Sequence, residues 1–359
     1  MTTMTMAAAL NAGLRRAMER DPSVVLLGED IGRLGGVFRV TDGLQKDFGQ
    51  ARVIDTPLAE SAIVGAAIGL AMRGLRPVVE IQFDGFVYPA FDQIVAQLAK
   101  LHQRSSGTVR LPIVIRLPFG GGIGAVEHHS ESPEAYFVHT AGLRVITPAD
   151  AATAYVTMQQ AIASDDPVVF LEPKRRYWDK ADVDSAVDVA RAPSPWQSRV
   201  VRAGTDVTVA CYGPMVRTCL EAAQSHESAS CEVVDLQSLS PLDTDTLIAS
   251  VRRTGRLVVV HEASGTAGLG AEVAARVGEA CFFELEAPVL RVTGYDIPYP
   301  PAQLEEHHLP DLDRVLDAVD RAMEFALFAI FLAFSLVGGL QVFNRFVLDL
   351  RKGKEDGDR

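Results

Sequence analysis

The chain has 359 residues, of which 48% are hydrophobic and 22% charged, a composition typical of a globular protein with two domains of ordinary size. Its net charge of −12 at pH 7 argues against a nucleic-acid-binding surface, so no nucleic-acid partner is expected. The four cysteines are scattered and include no C-x-x-C pair, which argues against a disulfide framework and a zinc site and fits a reducing cytoplasm. In the N-terminal segment the arginines follow the apolar stretch, unlike in a secretory signal peptide.

The first half of the chain alternates between short β-branched runs and segments of helical period. After an N-terminal amphipathic helix, strands are predicted at 23–28, 52–56, 76–83, 111–118, 143–148 and 166–173. Helices are predicted at 60–73, 89–104 and 149–164. This alternation is typical of an α/β fold with a doubly wound, mostly parallel sheet that carries helices on both faces. We assign this domain to residues 1–178.

The pattern changes after this domain and then resumes. Residues 179–205 are rich in proline and charge and have little periodicity, so they are predicted to form a linker. Strands are then predicted at 206–213, 231–237 and 256–262, with helices up to 224, at 243–253 and at 267–278. The sequence thus predicts a second, smaller doubly wound α/β domain over 206–324.

The C-terminal segment 325–359 differs in composition from both domains. Residues 325–340 carry no charge, and the apolar run 325–343 reaches the lower end of the length range for a bilayer-spanning helix. The basic sequence RKGK that follows would then lie on the cytoplasmic side. Three alternatives stay open for this tail: membrane association, a helix packed on a partner subunit, and a tail gained by fusion or frameshift.

The heptapeptide DTPLAES at 55–61 places Glu60 at the start of a long apolar run. One interpretation is a helix start, with Thr56 or Asp55 as the cap and an acidic side chain in the first turn. A capping box does not explain Glu60, because its glutamate would have to stand one or two positions earlier. The other interpretation is catalytic, since a buried carboxyl group holds its proton more tightly and suits proton transfer near neutral pH.

Four glycines in five residues, at 120, 121, 122 and 124, precede the adjacent pair His128 and His129. Such glycines permit unusual backbone angles and close approach to a ligand. Neighbouring histidine side chains diverge and no second ligand pair is evident, so the spacing does not predict a metal site. Proton transfer by a histidine of this loop, and a pair of surface histidines, are the alternatives.

Four segments together resemble a known family: DTPLAES (55–61), EIQFDGFVYPAFDQIV (80–95), EHHSESPEAYFVHTAGLRVITP (127–148) and DPVVFLEPKRRYW (166–178). They are similar to the beta subunit of the decarboxylating component of 2-oxoacid dehydrogenase complexes, which are thiamine-diphosphate enzymes. The resemblance extends from about residue 6 to residue 324. It implies a transketolase-like, thiamine pyrimidine-binding domain followed by a transketolase C-terminal-like domain.

The resemblance also implies roles for individual residues. Glu60 matches the glutamate that hydrogen-bonds the aminopyrimidine ring of the cofactor and stabilises its imino tautomer. Leu58, Gln82 and Phe86 match positions that line the pyrimidine pocket, and Phe86 replaces a tyrosine found in some branched-chain members. His129 matches the active-site histidine that helps to hold the 2-oxoacid and the lipoyl end of the site. Glu60 and His129 are therefore the predicted catalytic residues.

Metal ions and partner chains are implied in the same way. A structural potassium ion in some relatives uses positions that match Leu111, Ile113, Val114, Ala161, Ser164 and Asp166, with Ser164 standing where some members have aspartate. The sequence has no G-D-G segment, which in alpha subunits and single-chain relatives holds Mg²⁺ and the diphosphate. The chain thus resembles the half that binds the pyrimidine. It implies an alpha subunit, a heterotetramer of two alpha and two beta chains, and docking of the second domain on a lipoyl-bearing acyltransferase core.

The function implied is oxidative decarboxylation of a 2-oxoacid, with transfer of the acyl group to lipoyl, by an enzyme that is active only with its alpha partner. The segments EIQFDGF and LEPKRRYW favour a branched-chain substrate, while a pyruvate or acetoin dehydrogenase subunit is the alternative. A membrane-tethered, non-catalytic scaffold subunit is a different class of function. A self-sufficient transketolase-like enzyme is disfavoured by the missing diphosphate motif. We expect a cytoplasmic protein, with membrane association through 325–343 as the open alternative.

Overall fold

The computed structural model describes residues 1–325 and 340–341. The first half contains β1 (Thr2–Thr5), α1 (Met6–Arg20), β2 (Val24–Gly28), α2 (Leu44–Phe48), β3 (Val53–Asp55), α3 (Glu60–Met72), β4 (Arg76–Glu80), α4 (Ala99–Arg104), β5 (Val114–Phe119), α5 (Glu134–Val138), β6 (Arg144–Ile146), α6 (Ala151–Ala163) and β7 (Val168–Pro173). The second half contains β8 (Lys180–Val183), β9 (Arg199–Arg202), β10 (Val207–Cys211), α7 (Met215–Ser225), β11 (Cys231–Asp235), β12 (Ser238–Ser240), α8 (Thr244–Thr254), β13 (Leu257–Ser264), α9 (Leu269–Ala280), β14 (Leu290–Gly294), α10 (Glu305–His308) and a helix α11 from 312 to 325.

The larger sheet has seven strands in the order β12-β6-β7-β5-β4-β2-β3, and all neighbours are parallel except β12 and β6. Its strands are apolar on both faces, as expected when helices cover both sides of a parallel sheet. On β2, Val25 and Leu27 belong to the core beneath α3, while Val24 and Leu26 belong to the core beneath α1 and α6. The predicted doubly wound α/β fold is confirmed.

The smaller sheet has five strands in the order β14-β13-β10-β11-β9, and only β9 runs antiparallel to its neighbour. Helices α7 and α11 pack on one face, where Val315, Val319 and Ala322 of α11 are buried. Helices α8 and α9 pack on the other face, in a core that is continuous with the α3 side of the larger sheet. The two sheets therefore share apolar packing across their junction.

The stretch 179–205, predicted as an irregular linker, contains two strands. Strand β8 pairs antiparallel with β1, and β9 forms the edge of the smaller sheet beside β11. Strand β12 of the second half pairs with β6 at the edge of the larger sheet. These strands have three or four residues each, which is too short for a periodicity signal, and their positions depend on partners distant in sequence.

The helix predicted over 89–104 is present but is not a uniform α-helix. A 3₁₀ segment covers Asp84–Ala90, residues 91–92 are α-helical, a π-helical stretch covers Gln93–Leu98, and α4 follows without a gap. Pro89 lies inside the 3₁₀ segment, and proline lacks the amide that a continuing α-helix needs.

The start of α3 also differs from the expected capping. The residue before the helix is Ala59, which provides no side-chain cap, and Glu60 is the first helical residue. The Asp55 carboxylate instead accepts the amide of Gly32 at 2.6 Å, while the Thr56 hydroxyl is buried without a partner among the described residues. Neither Thr56 nor Asp55 therefore caps α3, although Glu60 does lie in its first turn, as the helix-start interpretation has it.

In the described ranges 1–325 and 340–341, no helix has the length and apolar character needed to cross a membrane. The predicted apolar run 325–343 and the basic end that follows lie almost entirely outside these described residues.

Candidate active site

The predicted site residues follow the carboxyl ends of adjacent parallel strands. Glu29 comes directly after β2, Glu60 begins α3 after β3, and Gln82 comes shortly after β4. The loop that carries His129 follows β5. Ligands of doubly wound folds bind outside the carboxyl ends of the strands. This edge of the larger sheet is therefore the candidate active site.

Two carboxyl groups, those of Glu29 and Glu60, are buried at this edge, with 7% and 6% of each residue exposed. Burial raises the pKa of Glu29, and the nearby charge of Glu60 raises it further. The Gln82 side-chain amide donates to the backbone carbonyl of Glu29 at 3.3 Å. The Oε1 atom of Glu29 has no hydrogen-bond partner in the part of the chain that the structure describes. Because buried polar atoms are nearly always paired, this orphaned oxygen fits a site that receives a polar ligand group.

An aromatic and histidine cluster lies at the same edge of the larger sheet. The His129 ring stacks on Phe83 with 3.9 Å between centroids and meets Phe86 edge-on at 5.1 Å. Its Nδ1 lies 3.0 Å from the backbone carbonyl of His128 and so is assigned as the protonated nitrogen, which leaves Nε2 as an acceptor. Burial lowers the pKa of His129, so the neutral imidazole predominates near neutral pH. His128 itself is exposed.

The remaining predicted pocket residue, Leu58, is not enclosed by the residues that the structure describes. Leu58 precedes Glu60 by two positions in the sequence, and 76% of the residue is exposed. Gln82 and Phe86, by contrast, are half-buried. Leu58 is thus the most exposed of the predicted pocket residues.

The glycine-rich segment 120–124 contacts the second domain. The amides of Gly122 and Gly124 donate to the Glu305 carboxylate at 3.2 and 2.8 Å. Both glycines have a positive φ, +83° and +70°, which turns these amides towards the carboxylate. The expected close approach is therefore to a carboxylate of the same chain, and the unusual backbone joins the two domains.

A second contact between the domains contains a buried titratable group. Glu134, at the start of α5, is completely buried, and its Oε1 accepts the Tyr212 hydroxyl at 2.6 Å. Its Oε2 has no partner within the described residues. Burial raises the pKa of Glu134 to about 7, so the folded protein holds this proton more tightly than the unfolded chain.

Glu134→Gln is expected to remove a pH dependence of stability. The stabilisation from the raised pKa is complete below the ordinary carboxyl pKa and is lost as the pH rises through about 7. Between pH 5 and pH 8 the wild-type protein should therefore lose roughly 2–3 kcal/mol relative to the variant. Thermal melts of both proteins across this range measure the difference, with Glu279→Gln on an exposed helix face as control. Parallel curves for wild type and Glu134→Gln would contradict the assignment.

The positions matched to a potassium site lie near the start of β5 and the end of α6: Leu111, Ile113, Val114 and Ala161 are buried, and Ser164 and Asp166 are half-buried. The Asp166 carboxylate is bound by Nε and Nη2 of Arg144, each at 2.7 Å. Nη1 of Arg76 donates to the carbonyls of Ile162 and Ser164, each at 3.0 Å. Two guanidinium groups thus supply positive charge to this loop, and the potassium site stays a prediction from the resemblance.

Sequence reasoning does not single out four residues of the site edge: Glu29, Phe83, Asp84 and Lys174. Glu29 directly follows β2, and Asp84 and Lys174 come shortly after β4 and at the end of β7. Polar residues just beyond parallel strands are the signal that could have identified them. The pairing of Asp84 with Lys174, which are 90 positions apart, has no local signal.

Comparison with known families agrees with this architecture. The family model described as transketolase, pyrimidine binding domain matches residues 2–179, and that described as transketolase, C-terminal domain matches residues 197–315. A solved structure of a split-gene transketolase, described as an inactive beta4 tetramer, is similar with a TM-score of 0.73 and 25% identity, covering 90% of this chain and 99% of that chain. The chain thus belongs to the transketolase-like class of thiamine-diphosphate-dependent proteins.

Three curated relatives identify the family within this class. The chain is 59% identical to the pyruvate dehydrogenase E1 component subunit beta of Leifsonia xyli subsp. xyli, over 90% of this chain and 96% of that protein. It is 53% identical to the 3-methyl-2-oxobutanoate dehydrogenase subunit beta of Mycobacterium tuberculosis (89% and 92%) and 45% identical to the 2-oxoisovalerate dehydrogenase subunit beta of Pseudomonas aeruginosa (90% and 96%). The chain belongs to the family of E1 beta subunits of 2-oxoacid dehydrogenases. The predicted family and enzyme class are confirmed.

Proposed function

We propose that this chain provides the pyrimidine-binding half of a 2-oxoacid dehydrogenase active site, with Glu60 and His129 as its catalytic residues. The observation that carries the proposal is the burial of Glu60 beside Glu29, whose Oε1 has no partner among the described residues, at the carboxyl edge of the sheet. Such an edge offers a ligand both a carboxyl group and a free acceptor in a water-poor site.

The residues of this chain would hold and orient the cofactor. Thiamine diphosphate supplies the nucleophilic carbon and the electron sink for decarboxylation. Glu60 would hold a proton at the carboxyl oxygen that faces a ring nitrogen of the pyrimidine, with Gln82, Phe86 and Leu58 lining the ring. His129 would face the 2-oxoacid through Nε2, the nitrogen left free by the contact of Nδ1 with the His128 carbonyl. The oxygens of a 2-oxoacid are hydrogen-bond acceptors, so Nε2 would donate to them when it carries a proton.

The diphosphate half of the site would come from an alpha subunit in a heterotetramer of two alpha and two beta chains. The absence of a G-D-G segment from the sequence and the exposure of Leu58 both support a site that is completed by another chain. Mg²⁺ would be held mainly by that alpha subunit. A potassium ion at the loop that Arg76 and Arg144 contact stays a prediction from the resemblance.

The substrate that we propose is a branched-chain 2-oxoacid, whose acyl group passes to lipoyl on an acyltransferase core docked on the second domain. The apolar wall formed by Phe83 and Phe86 next to His129 supports an aliphatic side chain. Pyruvate is the second candidate, because the relative with 59% identity is named for pyruvate.

The test uses the native assembly, recovered through a tag on this chain. Dye-coupled decarboxylation of pyruvate and of three branched-chain 2-oxoacids is measured with and without thiamine diphosphate and Mg²⁺. We expect cofactor-dependent turnover with higher kcat/KM for the branched-chain acids. A preference for pyruvate would overturn the substrate proposal, and no turnover with a co-purified alpha chain would favour the scaffold alternative.

A further inference from the structure

Asp84 and Lys174 form an ion pair whose two side chains are both completely buried. Lys174 follows the carboxyl end of β7 and Asp84 comes shortly after that of β4, with β5 between these two strands in the sheet. Burying two charges carries a desolvation penalty that apolar residues of similar size would avoid. A contribution to stability therefore does not account for the pair, and its other contacts indicate what it does.

Both members of the pair also bind the backbone of the loop that carries His129. Nζ of Lys174 donates to the carbonyl of His129 at 2.6 Å. Oδ2 of Asp84 accepts the amide of Glu131 at 2.7 Å. The two charges thus hold the chain on both sides of Ser130, immediately after the histidine.

The residues on either side of Asp84 also contact the loop that carries His129. Phe83 stacks on the His129 ring, and a Cβ atom at Gly85 would overlap the carbonyl oxygen of His128. Three consecutive residues therefore contact this loop. Phe83 stacks on the imidazole, Asp84 binds the loop backbone, and the missing side chain of Gly85 leaves room for the loop.

We propose that Asp84 and Lys174 are positioning residues that fix the loop 128–131, so that the His129 imidazole stays stacked on Phe83 and its Nε2 keeps a single direction. This inference rests on the function proposed above for His129. Charge-assisted hydrogen bonds are shorter and stronger than neutral ones, and a dry environment strengthens them further. A buried ion pair can therefore hold a loop that apolar packing alone would leave free to shift.

Lys174→Met tests the proposal in the assembled enzyme. Hydrogen–deuterium exchange of the peptide spanning 126–133 is measured by mass spectrometry, together with kcat, KM for the preferred 2-oxoacid and affinity for thiamine diphosphate by fluorescence quenching. We expect exchange in this peptide to be at least tenfold faster and kcat at least tenfold lower, with cofactor affinity within threefold. Unchanged exchange of the loop in a folded Lys174→Met enzyme would overturn the proposal.

A matched control separates positioning from general loss of stability. Thr208→Val removes a buried hydroxyl that bonds Ser250 and Thr254 in the smaller sheet, far in sequence from the loop. It should lower the melting temperature while leaving loop exchange and kcat unchanged, and an equal rise in loop exchange in this control would count against a specific role for Lys174. If Lys174→Met does not assemble, the charge-free variant Asp84→Leu/Lys174→Met takes its place, with the same expected and contradicting outcomes.

His129→Ala, measured in parallel, distinguishes the failure of this inference from that of the proposed function. Normal turnover in His129→Ala would reject the role of His129 in the reaction and, with it, positioning for catalysis. Loop exchange in Lys174→Met would in that case still decide whether the ion pair holds the loop.

Discussion

Glu60→Gln is expected to leave the assembled protein folded and to lower its turnover by at least 100-fold. An amide has nearly the shape of the carboxyl group, so the packing of the start of α3 should be preserved. It cannot hold and release the proton that the proposed contact with the pyrimidine ring requires, and a positioned proton donor or acceptor contributes about 10²- to 10⁴-fold to a rate. The measurement is dye-coupled decarboxylation with the best 2-oxoacid, alongside a thermal melt.

The matched control is Glu221→Gln, which makes the same chemical change on the exposed face of α7. Its turnover should stay within twofold of the wild type. A near-normal rate for Glu60→Gln would remove the proposed cofactor role of this residue. It would also favour the non-catalytic scaffold, since that alternative predicts no dependence of activity on Glu60.

Arg116→Met is expected to cause the largest loss of stability, about 3–5 kcal/mol. Arg116 lies on β5 and is almost completely buried between two carboxylates. Its Nε and Nη2 donate to Glu172 at 2.7 and 2.9 Å, its Nη1 bonds Glu80, and the Tyr177 hydroxyl donates to Glu172 at 2.6 Å. Removing the guanidinium would leave two buried carboxyl groups without their counter-charge, which is costlier than losing an entire ion network.

The effect should appear as a fall in melting temperature of about 4–7 °C, since the unfolding entropy of a chain of this length is large. A triple variant, Glu80→Gln/Arg116→Met/Glu172→Gln, removes every charge of the network and should recover much of the loss. Arg217→Ala breaks an exposed ion pair with Glu221 on α7 and is expected to cost less than about 1 kcal/mol. A drop for Arg116→Met no larger than that of Arg217→Ala would contradict the reasoning.

The sequence by itself determines the layered α/β architecture. Runs such as VVLLG in β2 and VIRLPF in β5 are apolar enough to be buried on both faces, and the segments between them have helical period. Glu60 is recognisable as a site candidate because a carboxylate at the head of an apolar run is physically anomalous. The resemblance carried by a few ordered motifs identifies the family, which the comparisons confirm.

Local patterns do not determine what depends on contacts between distant segments. The strands β8, β9 and β12 are too short to have a readable period and form only because an edge strand is available to pair with. The glycines of 120–124 suggest a ligand loop from composition, but their amides face Glu305, some 180 positions later. Such pairings follow from the folded topology and leave no trace in the local sequence.

The same distinction applies to the residues of the candidate site. Glu60, Gln82 and His129 could be named from their motifs. Three further residues become recognisable only when the fold brings the carboxyl ends of β2, β4 and β7 to one edge of the sheet: Glu29, with its orphaned oxygen, and the buried pair Asp84 and Lys174. Sequence records which residue types are present and how they alternate. The tertiary structure decides which of them lose water and face one another, because desolvation and hydrogen-bond geometry are properties of the packed chain.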